Sequence, residues 1–150
     1  MRSVGGGGSH SIIVDEAHNI WVTGSNKYGQ LGYSPMDDVR VREWQPLYQF
    51  RRLDIVSVFC GLNHTVLLSA GGSAFTCGRG ANFQLGHGTS TDKHRPTLVQ
   101  VFDSLDLSVV YASAGSEHTI FLTDEDGKRI VHLLLFWCLT LFRCVYGWFE

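Results

Sequence analysis

Histidines at positions 10, 64 and 118 recur every 54 residues, and each sits in the same short block. Gly7-Gly8-Ser9-His10-Ser11, Gly61-Leu62-Asn63-His64-Thr65 and Gly115-Ser116-Glu117-His118-Thr119 align without gaps. An apolar run follows each: Ile12-Ile13-Val14, Val66-Leu67-Leu68 and Ile120-Phe121-Leu122. A second block keeps the interval. Gly24 to Gly32 matches Gly78 to Gly86, sharing the end glycines and the trios Gln30-Leu31-Gly32 and Gln84-Leu85-Gly86. Self-similarity at a fixed period means one supersecondary unit stacked on copies of itself, and this constrains the fold more tightly than any single motif.

Each unit reads as short strands. Ile55–Cys60 and Val109–Ala114 are apolar, β-branched segments that end at the block glycine. The histidine opens a second strand, His64–Ser69, apolar at successive positions and so expected to be buried on both faces. Ala70-Gly71-Gly72 and Asp124-Glu125-Asp126-Gly127 read as turns, and Ile20–Thr23 and Ala74–Cys77 as third strands. The stretches 33–54 and 87–108 read as polar loops, with Pro96-Thr-Leu-Val-Gln-Val supplying a fourth strand. Four short antiparallel strands per repeat predict an all-β chain, a partial β-propeller built from four-stranded blades.

With both blocks in one register, the chain resembles the regulator of chromosome condensation repeat family over about residues 4–128. Repeats of the WD type run about 40–45 residues and kelch about 50, so the period suits neither. The resemblance implies a β-propeller of about seven blades. It also implies a protein partner, and the family includes a nucleotide exchange factor for a small GTPase. Phe83 departs from the pattern where Gly29 keeps it, and Thr23 and Cys77 sit where the family often has other residues. The chain enters at Val4, which aligns with Val58, and loses register after Gly127, so it reads as a fragment with under three repeats. The leading functional expectation is a protein-interaction module without catalysis. Nucleotide exchange is the alternative, and a membrane-tethered regulator acting through residues 130–149 is the second.

A histidine at one repeat coordinate is most simply structural, hydrogen-bonding inside each blade, because catalytic centres do not recur at fixed spacing. Cys60-x₃-His64, with Cys77 and His87 near, invites a zinc reading. Repeat register opposes it, since Cys60 aligns with Gly6 and Ala114 in a slot for small residues. Gly78-x-Gly80 and Gly5–Gly8 lack the Gly-Lys-Ser/Thr and the following helix that a phosphate loop needs. No cofactor is expected. Twelve basic against fourteen acidic residues give a net charge of −2, with no footprint for nucleic acid. The four cysteines form no C-x-x-C pair and no signal peptide precedes them, which suits free thiols in the cytoplasm or nucleus.

The candidate partner contacts are Asp37, Asp38, Arg40 and Arg42 in the first loop and Lys93, His94 and Arg95 in the second. Residues 1–128 form the repeat region and 129–150 a hydrophobic tail. Between Ile130 and Phe142 only His132 and Thr140 are polar, and no Gln-Leu-Gly follows. Those 13 residues fall short of the ~20 that span a bilayer, although 130–149 would reach. Three readings stand for this tail: a gene end replacing the true repeat, a membrane-associated segment, or a strand or helix packed on the blades.

Overall fold

The computed structural model describes residues 1–34, 40–134 and 144–145, and these fold as three antiparallel sheets. The first contains β1 (Ser3–Gly6), β2 (His10–Val14), β3 (Ile20–Ser25) and β4 (Arg40–Pro46) in that spatial order. The second repeats it with β5 (Ile55–Cys60), β6 (His64–Ser69), β7 (Ala74–Gly78) and β8 (Lys93–Leu98). The third holds β9 (Ser108–Ala114), β10 (Thr119–Glu125), β11 (Lys128–Leu134) and a short β12 (Cys144–Val145). Each sheet is one blade of a β-propeller. The first strands lie together on the inside, β1 against β5 and β5 against β9.

The period of two along each strand decides what faces what. In β2, His10, Ile12 and Val14 are buried while Ser11 and Ile13 are half-buried. In β10 the parity is reversed, with Thr119, Phe121 and Thr123 buried and Ile120 and Leu122 half-buried. Between them β6 is buried from His64 through Leu68, because a sheet covers it on either side. Two apolar clusters result. One joins Ile12, Val14, Ile20 and Val22 of the first sheet to Val58 and Leu67 of the second. The other joins Val66, Leu68 and Ala74 of the second to Ala112 and Phe121 of the third, closed by Phe102.

Three features differ from the sequence expectation. The fourth strands are Arg40–Pro46 and Lys93–Leu98, so the second starts three residues earlier and stops at Leu98. There the Val99 amide donates to the Ala74 carbonyl, and Gln100–Ser104 closes as a helical turn. Arg40, Arg42, Lys93, His94 and Arg95 therefore lie on outer strands rather than in loops. Asp37 and Asp38 lie outside the described residues.

The third difference is at the β10–β11 hairpin. In the first sheet residues 15–19 form a loop held by the Asp15 carboxylate, which accepts from the Ala17 and Asn19 amides, Asn19 Nδ2 and Trp21 Nε1. In the third, Asp126 and Gly127 alone make the turn, at φ +51° and +81°. Positive φ at both centres is the type I′ geometry that suits the right-handed twist of a hairpin. The shorter turn moves β11 by three residues. Thr119 pairs with Leu134, whereas the pairing of Thr65 with Cys77 predicts Val131. An odd shift exchanges the faces of a strand, so Ile130 and His132 turn toward the second sheet and are buried. The Thr123 hydroxyl and His132 Nε2 meet there at 2.8 Å. All seven residues of β11, Lys128–Leu134, pair with β10 as a third strand.

Gly29 and Phe83 share one repeat coordinate and one left-handed backbone, at φ +82° and +60°. A Cβ at Gly29 would lie 2.5 Å from His94 Cα of the second sheet, whereas the Phe83 side chain is exposed. Contact between sheets, not φ, thus makes glycine obligatory at 29. Gly29→Ala is expected to destabilise the chain by about 2 kcal/mol or more, and Phe83→Ala by under about 1 kcal/mol. Denaturant midpoints of the two variants check this; equal losses would contradict it.

Candidate interaction surface

The two sequence blocks meet at one hydroxyl. His10 Nε2 lies 2.9 Å from Thr65 Oγ1 of the next sheet, and that hydroxyl donates to the Gln30 carbonyl at 2.7 Å. The arrangement repeats one blade on, where His64 Nε2 lies 2.9 Å from Thr119 Oγ1, which donates to the Gln84 carbonyl at 2.7 Å. Because the threonine proton goes to the carbonyl, its lone pair must accept from imidazole Nε2–H. This fixes the neutral tautomer with a bare Nδ1, and His10 Nδ1 and His64 Nδ1 indeed have no hydrogen-bond partner. The histidine therefore bonds between blades, not inside one as its repeat position suggested.

The block glycine completes the unit. A Cβ at Gly61 would fall 2.2 Å from the His64 Cε1 and 2.5 Å from the Gly115 carbonyl oxygen. Backbone bonds run alongside, from the Gly8 amide to the Leu62 carbonyl and from the Leu62 amide to the Gly115 carbonyl. The glutamine side chains serve their own loops: Gln30 Oε1 accepts from the Tyr28 amide and Gln84 Oε1 from the Asn82 amide. Gly24, Gly78, Gly32 and Gly86 all hold positive φ in these turns, and Leu31 and Leu85 are buried beneath them. His118 is half-buried, with no such hydroxyl partner among the described residues.

Burial drives the electrostatics. Desolvation pushes both His10 and His64 down to about 4, and His64 is lowered further by His10 and His118. Burial pushes the Cys60 thiol up to about 12 and raises that of Cys77, so neither offers a thiolate. Among the described residues, no group of three His, Cys, Asp or Glu side chains is placed to hold a metal ion. No described helix is long and apolar enough to cross a membrane.

One accessible cluster is cationic and aromatic. Tyr28 lies between Lys27 Nζ at 5.3 Å and the Arg79 guanidinium at 5.6 Å from its ring centre. Lys93 pairs with Gly78 beside Arg79, and His94 backs onto Gly29 beside Tyr28. Lys27, Tyr28, Arg79, Lys93, His94 and Arg95 thus make one ledge across the first two blades. Arg40 continues it through its pairing with Ser25. Lys27, Tyr28 and Arg79 were missed from sequence because they flank the Gln-Leu-Gly blocks rather than lying in the long connections. The Asp92 carboxylate there accepts from the Gly80 amide.

The chain matches the family model "Regulator of chromosome condensation (RCC1) repeat" over residues 18–68 and 71–122. A second model of the same description matches residues 1–30 and 55–84. It is 33% identical over 128 residues to the human "Probable E3 ubiquitin-protein ligase HERC4", covering 85% of this chain and 12% of that protein. It is 35% identical over 126 residues to the mouse "Secretion-regulating guanine nucleotide exchange factor", covering 82% of this chain and 26% of that one. Among solved structures, human WBSCR16 aligns with a TM-score of 0.74 at 23% identity, over 86% of this chain and 32% of that chain. Prp20p from Saccharomyces cerevisiae aligns with a TM-score of 0.72 at 21% identity, over 83% and 32% respectively. The chain thus spans a minor part of each relative.

The relay gives two expectations. Unfolded histidine titrates near 6.5 and the buried rings near 4, so between these values the unfolded state binds more protons. Stability should be greatest above about pH 6.5 and fall toward pH 4, by up to about 1.4 kcal/mol per pH unit for each of the two histidines. Urea midpoints across that range check the slope, and a flat profile would contradict the assigned burial. Separately, His64→Ala and Thr119→Val should each cost about 1–3 kcal/mol, with the double variant losing less than the sum. Strict additivity in that cycle would mean that the two groups are not coupled.

Proposed function

Because the chain belongs to the regulator of chromosome condensation repeat family, we propose that it is a β-propeller protein-interaction module with a regulatory, non-catalytic role. Its cationic ledge around Tyr28 receives an acidic segment of a protein partner. The ledge carries this reading: it gathers cations from two blades onto rigid strands and tight turns, beside an aromatic face. Arginine over a tyrosine ring keeps its donors free to grip a carboxylate while its stem stays ordered.

Nucleotide exchange on a small GTPase is the second reading. Its specific support is the 35% identity to a protein named as a guanine nucleotide exchange factor. Exchange demands large differential affinity for the nucleotide-free partner. Such affinity draws on a broad interface, of roughly 1,600 Å² in total. Three blades present a smaller rigid face, so we assign binding rather than exchange to this chain.

Affinity capture from cell extract, followed by titration of the purified partner, tests the binding reading. Lys27→Glu/Arg79→Glu/Lys93→Glu should keep the fold and weaken that partner at least about tenfold, with most of the loss at low salt. Undiminished binding by the triple variant would overturn the ledge. Fluorescent GDP release from a panel of small GTPases tests the second reading, and no acceleration is expected. Acceleration that vanishes when residues 87–95 are replaced by Gly/Ser would make exchange the function.

A further inference from the structure

The second repeat carries three consecutive hydroxyls, Thr89-Ser90-Thr91, followed by Asp92 and then by Lys93-His94-Arg95. All three are exposed, and the Thr89 and Thr91 hydroxyls hold each other at 2.9 Å. The chain just beyond them is fixed against the turn that carries Arg79. The Thr91 carbonyl oxygen would lie 2.2 Å from a Cβ at Gly80, and Lys93 pairs with Gly78. Between them the Asp92 carboxylate accepts from the Gly80 amide at 2.8 Å. The hydroxyls therefore border the cationic ledge.

The charge there is unbalanced. No ion pair among the described residues engages Lys27, Arg79, Lys93 or Arg95, and Asp92 is committed to an amide. Counting back 54 residues, Thr91 and Asp92 fall on Asp37 and Asp38. The first repeat thus has a fixed carboxylate at the coordinate where the second has a hydroxyl. Two residues of extended chain span about 6.6 Å, so a phosphate on Thr91 lies within reach of the Lys93 ammonium. Arg79 runs alongside at the ~4.8 Å spacing of paired backbones.

We propose that Thr91 is a phosphorylation site that regulates the ledge. A protein kinase transfers the γ-phosphoryl group of ATP to Thr91 Oγ1. The new Oγ1–P bond replaces the bond from the γ-phosphorus to the bridging oxygen, ADP leaves, and the hydroxyl proton passes to the kinase. The product carries about −1.5 to −2 charges and three acceptor oxygens, which fold back on Lys93 and Arg79. The modified chain then fills its own ledge and repels an acidic segment. This consequence rests on the ledge being the partner site; the modification itself does not.

Three measurements on the full chain test this, with circular dichroism to confirm folding. In cell extract supplied with radiolabelled ATP, wild type should take label on Thr91, and Thr91→Val should lose most of it. No label, or equal label in the variant, overturns the site. Phosphothreonine encoded at position 91 should show, by phosphorus NMR, a second ionisation about half a unit or more below its ordinary value of about 6. Arg79→Gln/Lys93→Gln should return it toward that value, and an unshifted midpoint overturns the fold-back. Neither measurement needs a partner. The phosphorylated chain should bind the ledge partner at least about tenfold more weakly than the unmodified one. Equal affinity for a partner that Lys27→Glu/Arg79→Glu/Lys93→Glu has lost overturns the regulation, whereas a partner indifferent to that variant overturns the ledge reading.

Discussion

A threonine hydroxyl placed between two blades is the interaction on which the stack depends. Thr65 Oγ1 accepts from a histidine of the preceding sheet and donates to the carbonyl of that sheet's glutamine turn, all at buried positions. A hydroxyl left without either partner would cost the desolvation of a buried polar group, so the three groups occur together at both described boundaries between sheets. This explains why the Gly-x-x-His and Gln-Leu-Gly blocks hold one register although 20 residues separate His10 from Gln30. The partner that fixes both is 35 residues beyond the glutamine, in another sheet.

The remaining order follows from sheet parity and from close approach of backbones. His64–Leu68 is buried on both faces because the histidine side of one sheet always meets the threonine side of the next. The block glycines admit the imidazole and the neighbouring carbonyl together, leaving no room for a Cβ at Gly61. Where a sheet boundary is open the same coordinates relax, as at Val4, Ile13, Ile120 and Leu122. One geometry thus produces both apolar clusters, between the first and second sheets and between the second and third.

Much of this was legible in the sequence. Both strands Ile55–Cys60 and His64–Ser69 were read with their bounds, because apolar β-branched runs end at a repeated glycine. The histidine's repeat coordinate is legible, but a single chain position cannot reveal that its hydrogen-bond partner lies in another sheet. The outer strands are polar and largely accessible, so alternation was too weak to mark Arg40–Pro46, and it marked the second only from Pro96 rather than from Lys93. The shift of β11 was hidden as well. Asp124-Glu125-Asp126-Gly127 reads as a turn of any length, and only the backbone at Asp126 and Gly127 reduces it to two residues. The ledge around Tyr28 was missed because Lys27 and Arg79 come from different repeats and converge only when the sheets stack.

The central claim is that each buried histidine is a neutral Nε2–H donor to a hydroxyl of the next blade. Nitrogen-15 chemical shifts of the imidazole nitrogens report tautomer and charge at each site directly. For His10 and His64 the account predicts a protonated Nε2 and a bare Nδ1 that persist unchanged from pH 7.5 to about 5, since both rings titrate near 4. An Nδ1–H tautomer at either residue, or a titration midpoint near the ordinary value of about 6.5, would contradict it.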